Sequence, residues 1–323
     1  MKRMLAAALT SLGLSLATGC TTNPATGERS LTFLSWDREV AMGTEAAAGM
    51  TAEFGGETPD AETKAYVDEV GTRLLGGIEE GIPELPWEFT LLDSAVINAF
   101  ALPGGQVYLS RGLADKLTSE AEMAGVIGHE IGHVTARHGN QRITKQLGFN
   151  VSMAVAALVV GAADEDSDIR KYGQIGVPAL AFGGNVVLLK YGRDEELEAD
   201  MLGMRYMARA GYNPVGQKLV METLKRASGG SSQPEWLSTH PESDTRISRI
   251  NTLLQTEYAY TQNSSEYVMK EQEYQRRMLD RLARLGPPKH GGGSVSLLDT
   301  PVLWCAHCQA EALQVADANS DSE

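Results

Sequence analysis

Apolar positions three and four residues apart recur along most of the chain and predict more helix than strand. From the amino terminus, the pattern predicts helices over Ser35 to Met50 and Asp60 to Leu75, with Ser35 and Asp60 as N-caps. Tyr66, Val70 and Leu74 give the second an apolar stripe, and Gly76 and Gly77 end it. Trp87 to Leu92 and Gln106 to Ser110 read as strands separated by Pro103-Gly104-Gly105. A helix then begins at a Ser119-x-x-Glu122 capping box and carries a buried stripe of Met123, Ile127, Ile131 and Val134. Leu197 to Gly211 is helical up to the stop at Gly211-Tyr-Asn-Pro214; Val215 to Arg226 is another helix, and Ser228 to Gln233 is a flexible linker. Asn263 to Leu285 reads as a long helix with Tyr267, Tyr274, Met278, Leu282 and Leu285 on one side.

Two further apolar stretches, Val151 to Ala163 and Ile175 to Leu189, flank the acidic Asp164 to Asp168. Each falls short of the roughly twenty residues that a membrane-spanning helix needs. The first reads as a buried helix; the second reads equally as a loop or as a mobile cover over a site. No internal repeat is present in the chain.

The chemistry lies on the polar side of the capped helix. His129-Glu130-Ile131-Gly132-His133 has the pattern H-E-x-x-H, which on a helix puts both imidazoles on one face, one turn apart, within reach of one zinc ion. Glu130 then sits beside the metal as a general base. Gly125, Gly132 and Ala136 flank the histidines and allow substrate or another backbone to come close, at about 1 kcal/mol of helix propensity per glycine. A catalytic zinc needs a third protein ligand. In Arg193-Asp-Glu-Glu-Leu-Glu-Ala-Asp200, Glu196 is the candidate because Asp200, one turn on, can accept the second N–H of a ligating histidine. Glu195 and Glu198 compete, but neither has an acid four residues on. His138 lies about 140° round the helix from His133 and reads as a cap of the helix end. His240 reads either as a surface turn or as a group of the zinc site, there as a fourth ligand or an oxyanion donor. Arg246 can pair with Asp200 or stabilise an oxyanion.

These motifs resemble metallopeptidase family forty-eight, the gluzincin group of the HtpX, CAAX prenyl protease and BepA kinds. The likeness runs from about Asp37 to Ile250 and includes Asn98-Ala-Phe-Ala-Leu-Pro-Gly-Gly-Gln-Val-Tyr and Thr239-His-Pro-Glu-Ser-Asp-Thr-Arg-Ile. Gly192 stands where the family often has Ser. The resemblance implies an α+β, predominantly helical zincin domain with a small sheet beside the active-site helix. It also implies one Zn2+ per chain, metalloendopeptidase activity, and unfolded or misassembled envelope proteins as substrates. Gln106, Val107, Tyr108 and Leu109, as an edge strand, would bind such chains through main-chain hydrogen bonds. The rival reading is a non-proteolytic zinc-binding chaperone or assembly factor, which needs no Glu130.

A net charge of −14 argues against nucleic acid and against electrostatic attraction to anionic lipid. The amino terminus offers another route to a membrane. Lys2 and Arg3, apolar Leu5 to Leu16, and Leu16-Ala-Thr-Gly-Cys20 resemble a bacterial lipoprotein signal with lipidation at Cys20. Without an Asp after Cys20, the resemblance is to lipoproteins sent to the periplasmic face of the outer membrane in a Gram-negative cell. The expected layout is signal 1–19, mobile tether 20–34, protease domain 35–262, helix 263–285 and flexible appendage 286–323. In that appendage, Cys305-Ala-His-Cys308 reads as a local disulfide of an oxidising compartment, ahead of a redox or zinc motif.

Overall fold

The computed structural model describes residues 20–146, 191–228, 234–240 and 244–289. The signal segment, both apolar stretches, most of the Gly/Ser linker and the Cys305/Cys308 pair lie outside them. The chain divides into two compact units, one of residues 1–141 and 188–294, the other of 142–187 and 295–323. The first holds every element discussed below.

It is an α+β unit with more helix than sheet. Helix α1 spans Trp36–Glu53 and α2 spans Ala61–Leu75; Ser35 and Asp60 cap them by accepting from the N–H of Arg38 and Thr63. Strands β3 (Glu88–Leu92), β4 (Ala99–Leu102) and β5 (Gln106–Ser110) form one sheet in the order β3-β5-β4, with β3/β5 parallel and β4/β5 antiparallel. Two further helices build the centre, α3 (Glu120–Thr135) and α4 (Arg193–Arg209), joined by α5 (Val215–Ser228) and α6 (Asp244–Gln255). No helix among the described residues is long and apolar enough to cross a membrane.

Helix α3 is buried on every side, not on one stripe. Ser119 Oγ accepts from Glu122 N, while Glu122 Oε1 accepts from Thr118 N and Oγ1, so the amino end is closed by its own side chains. The motif glycines answer to a second backbone. A Cβ on Gly203 of α4 would lie 2.9 Å from His129 N, and one on Gly132 would lie 2.9 Å from Ala199 O. Only glycine at these crossings lets α3 and α4 approach closely enough for their functional side chains to meet.

The structure departs from the sequence reading in three places. Gln106 to Ser110 is not an edge strand: β3 and β4 occupy both of its sides. An added peptide strand has no free edge there, so Gln106, Val107, Tyr108 and Leu109 are core-sheet positions. Residues 20–34, expected as a mobile tether, carry local structure and contacts to the rest of the unit. Cys20–Thr22 (β1) and Arg29–Leu31 (β2) pair antiparallel, Asn23 Nδ2 donates to Thr135 O at 3.0 Å, and Ala25 is in the core. The helix expected from Asn263 begins only at Glu271 and includes a π turn over Gln275–Leu279. Residues 266–270 instead run as a strap: Tyr212 bridges to Val268, Ala121 N donates to Met269 O, and Lys270 Nζ lies 2.6 Å from Glu120 Oε1. Glu120 also accepts from Tyr66 and Tyr212 at 2.6 and 2.7 Å, and these donors hold its buried carboxyl below the usual range against the effect of burial. The strap thereby fixes the first turn of α3.

Candidate metal centre

On α3, His129 and His133 lie one turn apart, and their Nε2 atoms are 3.1 Å from each other. Across the glycine crossing, α4 brings Glu196 Oε1 to 3.4 Å from His133 Nε2 and Oε2 to 3.6 Å from His129 Nε2. The helical turn Trp236–Thr239 carries the chain to His240, whose Nδ1 is 3.2 Å from His129 Nε2 and 3.0 Å from Glu196 Oε1. Each of these four residues offers one ligand atom to a common point, and all four are buried.

The spacing can be tested against a metal. Four ligands at about 2.0–2.1 Å in a tetrahedron stand roughly 3.3–3.4 Å apart. With Glu196 Oε1 as the carboxylate donor, the distances given above run from 3.0 to 3.4 Å, close to that edge length. Two lone-pair nitrogens at 3.1 Å in a buried site also require a proton or a cation between them. The donor set of imidazoles and a carboxylate fits zinc.

Electrostatics agree with that chemistry. Burial pushes His133 well below the ordinary imidazole range, which keeps its Nε2 free to donate a lone pair. Burial alone would raise the Glu196 carboxyl, but His240, His133 and Arg246 hold it well below its usual range, so it is ionised. Asp200 is likewise held down, to about 2: Arg246 and His129 outweigh burial. His240 is pushed down by burial, yet the Glu196 and Glu130 carboxylates raise it overall.

Around this centre the acids of α4 divide their tasks. Glu195 Oε2 accepts from Gly192 N at 2.8 Å, which caps the helix from within because Gly192 lacks the hydroxyl of a serine. Glu196 faces the histidines. Glu198 Oε2 is 2.9 Å from His138 Nε2, and Asp200 Oδ1 is 3.0 Å from His129 Nδ1. Arg246, fully buried, takes Asp200 in a fork, with Nε and Nη2 each at 2.7 Å, and reaches Glu196 Oε2 with Nη1 at 2.5 Å. Of the two roles open to Arg246 in the sequence, the geometry displays the carboxylate pairing. Glu130 Oε1 accepts from Trp236 Nε1 at 3.2 Å, whereas its buried Oε2 has no hydrogen-bond partner among the described residues.

A family model described as Peptidase family M48 matches residues 61–254 of this sequence. The chain belongs to peptidase family M48. It is 30% identical over 234 residues to the mitochondrial metalloendopeptidase OMA1 of Schizosaccharomyces pombe, a match covering 72% of this chain and 65% of that protein. Over 219 residues it is 31% identical to the beta-barrel assembly-enhancing protease of Yersinia pestis, covering 67% and 43%. The protein of that name from Escherichia coli (strain K12) is 30% identical over 186 residues, covering 56% and 37%. The matched stretch thus spans less than two thirds of each relative's length.

In this M48 chain the structure brings together all the expected ligand and carboxylate residues, His129, His133, Glu196 and Asp200, with Glu130, His240 and Arg246. It does not bring in Gln106 to Leu109 as a free edge. Sequence reasoning missed Trp236, and it read Glu198 only as a competing ligand and His138 only as a cap of the helix end. A tryptophan four residues before His240 was a usable signal, since that spacing stacks the two rings, here 4.8 Å apart and within 19° of parallel. His138 gave no such signal, for a backbone reason. Arg137 has φ 60°, so the helix breaks after Ala136, and His138 returns to His133 instead of continuing round the axis.

Proposed function

We propose that this protein is an exported zinc metalloendopeptidase of the cell envelope that cleaves unfolded or misassembled proteins. The convergence of two histidines, one ionised carboxylate and an adjacent Glu130 oxygen with no hydrogen-bond partner among the described residues carries the reading. His129, His133 and Glu196 would hold one Zn2+, which supplies Lewis acidity, acidifying a water and polarising the scissile carbonyl. Glu130 Oε2 takes the proton of the attacking water and passes it to the leaving amine. In the latched arrangement Trp236 engages Oε1 and leaves Oε2 without a hydrogen-bond partner among the described residues. Asp200 and Arg246 orient His129 and Glu196 as positioning residues.

His240 takes the position that water needs. With its Nδ1 in the ligand set and its Nε2 3.6 Å from Glu130 Oε1, it acts as a latch on the resting enzyme rather than as an oxyanion donor. Substrate binds along β4, whose outer edge pairs with no strand among the described residues. Ser110 N bonds Asn98 O on the inner side and Trp236 N bonds Ile97 O on the outer, so alternation points the amides of Ala99 and Ala101 outward. An edge that offers main-chain hydrogen bonds selects extended, unfolded chains. Lipidation at Cys20 anchors the protein to the membrane, and the acidic charge excludes nucleic acid as a partner.

The test is metal content together with cleavage of casein. Wild type should hold one zinc per chain and cleave; Glu130→Gln should keep the zinc and lose cleavage. Zinc without cleavage in wild type and in His240→Ala alike would replace the protease reading with that of a zinc-binding chaperone.

A further inference from the structure

Each histidine of the H-E-x-x-H motif has a second ring nitrogen, and the two nitrogens are supported differently. His129 Nδ1 meets Asp200 directly. Among the described residues His133 Nδ1 meets no carboxylate; it lies 2.8 Å from His138 Nδ1, and His138 Nε2 lies 2.9 Å from Glu198 Oε2. All three side chains are in the same compact unit, His133 and His138 are buried, and Glu198 retains 21% exposure. On its face, the His133 ring is stacked by Tyr191, with centroids 3.7 Å apart and planes within 20°.

Proton positions follow from the contacts. A His133 that gives the Nε2 lone pair to a metal carries its hydrogen on Nδ1. Among the described residues that N–H points at His138 Nδ1, which must then be the unprotonated acceptor. His138 consequently carries its hydrogen on Nε2 and donates it to the Glu198 carboxylate. The tautomers of both rings are set from the Glu198 end.

We propose that Glu198 and His138 form a positioning relay for His133, so that a carboxylate acts on the metal ligand through an intervening imidazole. The proposal rests on the zinc reading of the centre. It assigns a task to two residues that are neither ligands nor bases. Nδ1 of His138 faces His133 Nδ1, on the side of that ring away from the ligand cluster, so His138 supports a ligand without becoming one. The relay depends on the left-handed turn at Arg137, which Glu39 of α1 clamps through Nε at 2.7 Å and Nη2 at 2.5 Å.

The experiment is a chelator-competition titration of zinc on the full chain, with melting temperatures of the metal-free proteins alongside. His138→Ala should weaken zinc binding by about 10 to 100-fold, the range for loss of a partner to a ligating histidine. Glu198→Gln should weaken it less, and the double variant should bind no more weakly than His138→Ala alone, because Glu198 acts only through His138. His138→Gln should recover most of the affinity: its amide oxygen can accept from His133 and its NH2 can donate to Glu198. If wild type binds zinc and His138→Ala and Glu198→Gln bind it equally well, the relay is wrong while the zinc reading stands. Additive losses would overturn it too, as would losses that glutamine does not rescue and that follow a lower metal-free melting temperature. If wild type itself binds no zinc, the zinc reading fails and the relay with it.

Discussion

Trp236 donates its indole N–H to Glu130 Oε1 across 3.2 Å while its ring stacks on His240. One residue therefore ties the proposed latch to the proposed base. Trp236→Phe keeps the stack and removes the hydrogen bond, which is worth about 1 kcal/mol, or roughly fivefold in the ratio of open to latched enzyme. Initial rates on casein should rise up to about fivefold in Trp236→Phe and further in His240→Ala. A rate that falls in both variants would make the segment part of the catalytic apparatus instead of its restraint.

The crossing of α3 and α4 is built on glycine, so a single methyl group should disturb structure and metal together. A Cβ on Gly203 would stand 2.9 Å from His129 N and 3.0 Å from Gly128 C, both backbone atoms that cannot move aside alone. Gly203→Ala should cost about 1–3 kcal/mol through overpacking and should weaken zinc binding, because Glu196 and Asp200 leave their positions when α4 backs away. Denaturant unfolding and a zinc titration on the same preparation check both effects. Lower stability with unchanged zinc affinity would show that the ligands tolerate a shift between the helices.

How much of this was readable in advance depends on how local each relationship is. His129, Glu130 and His133 sit within one turn and half of one helix, and Glu196 and Asp200 within one turn of another, so spacing alone displayed them. The glycines of α3 were visible as a cost, but their reasons lay far along the chain: Gln217 of α5 beside Gly125, and the backbone of α4 beside Gly128 and Gly132. His138 was misplaced because ideal helical geometry was extended through Arg137. That residue adopts φ 60° with its guanidinium held by Glu39, 98 residues away in sequence. Strand β4 showed only through the family resemblance and not in the residue pattern, because Ala99-Phe-Ala-Leu is short and buried on both faces, with no alternation to announce it. Strand order is still less local: Gln-Val-Tyr-Leu-Ser reads the same at an edge as at the centre of three strands. The late start of the carboxy-terminal helix has the same origin, since Val268 and Met269 give their carbonyls to Asn213 and Ala121 and are extended.

Moving the substrate edge from β5 to β4 changes which prolines matter. With Ile97 O bonded to Trp236 N, the next outward amides are those of Ala99 and Ala101. Ala101→Pro deletes an outward N–H without touching the ladder to β5, so KM for an unfolded substrate should rise severalfold with zinc content unchanged. Proline at Val107 should instead damage the sheet and lower the melting temperature. Equal KM values for Ala101→Pro and wild type would remove β4 from substrate binding.

Glu235, at the start of the turn that leads to His240, has its carboxyl raised to about 7 by burial, with Glu53 at the end of α1 adding to the effect. The sign of the consequence is fixed by linkage. An unfolded glutamate loses its proton near 4.3, so between about 4.3 and 7 the folded chain holds more protons than the unfolded one, and stability falls as pH rises through that window. Below it the stabilisation is fully present; above about 7 the folded chain carries the ionised, half-buried carboxylate beside Glu53. Glu235→Gln removes the titration and should flatten this part of the profile, leaving the variant at pH 8 more stable relative to wild type than at pH 4.5. The residue lies between Pro234, whose carbonyl accepts from Leu237 N, and Trp236, so the same change should hold the His240 turn in place at high pH. Casein cleavage by wild type should therefore rise from pH 6 to 8 more steeply than cleavage by Glu235→Gln. Parallel activity and stability profiles for the two proteins would detach Glu235 from the latch.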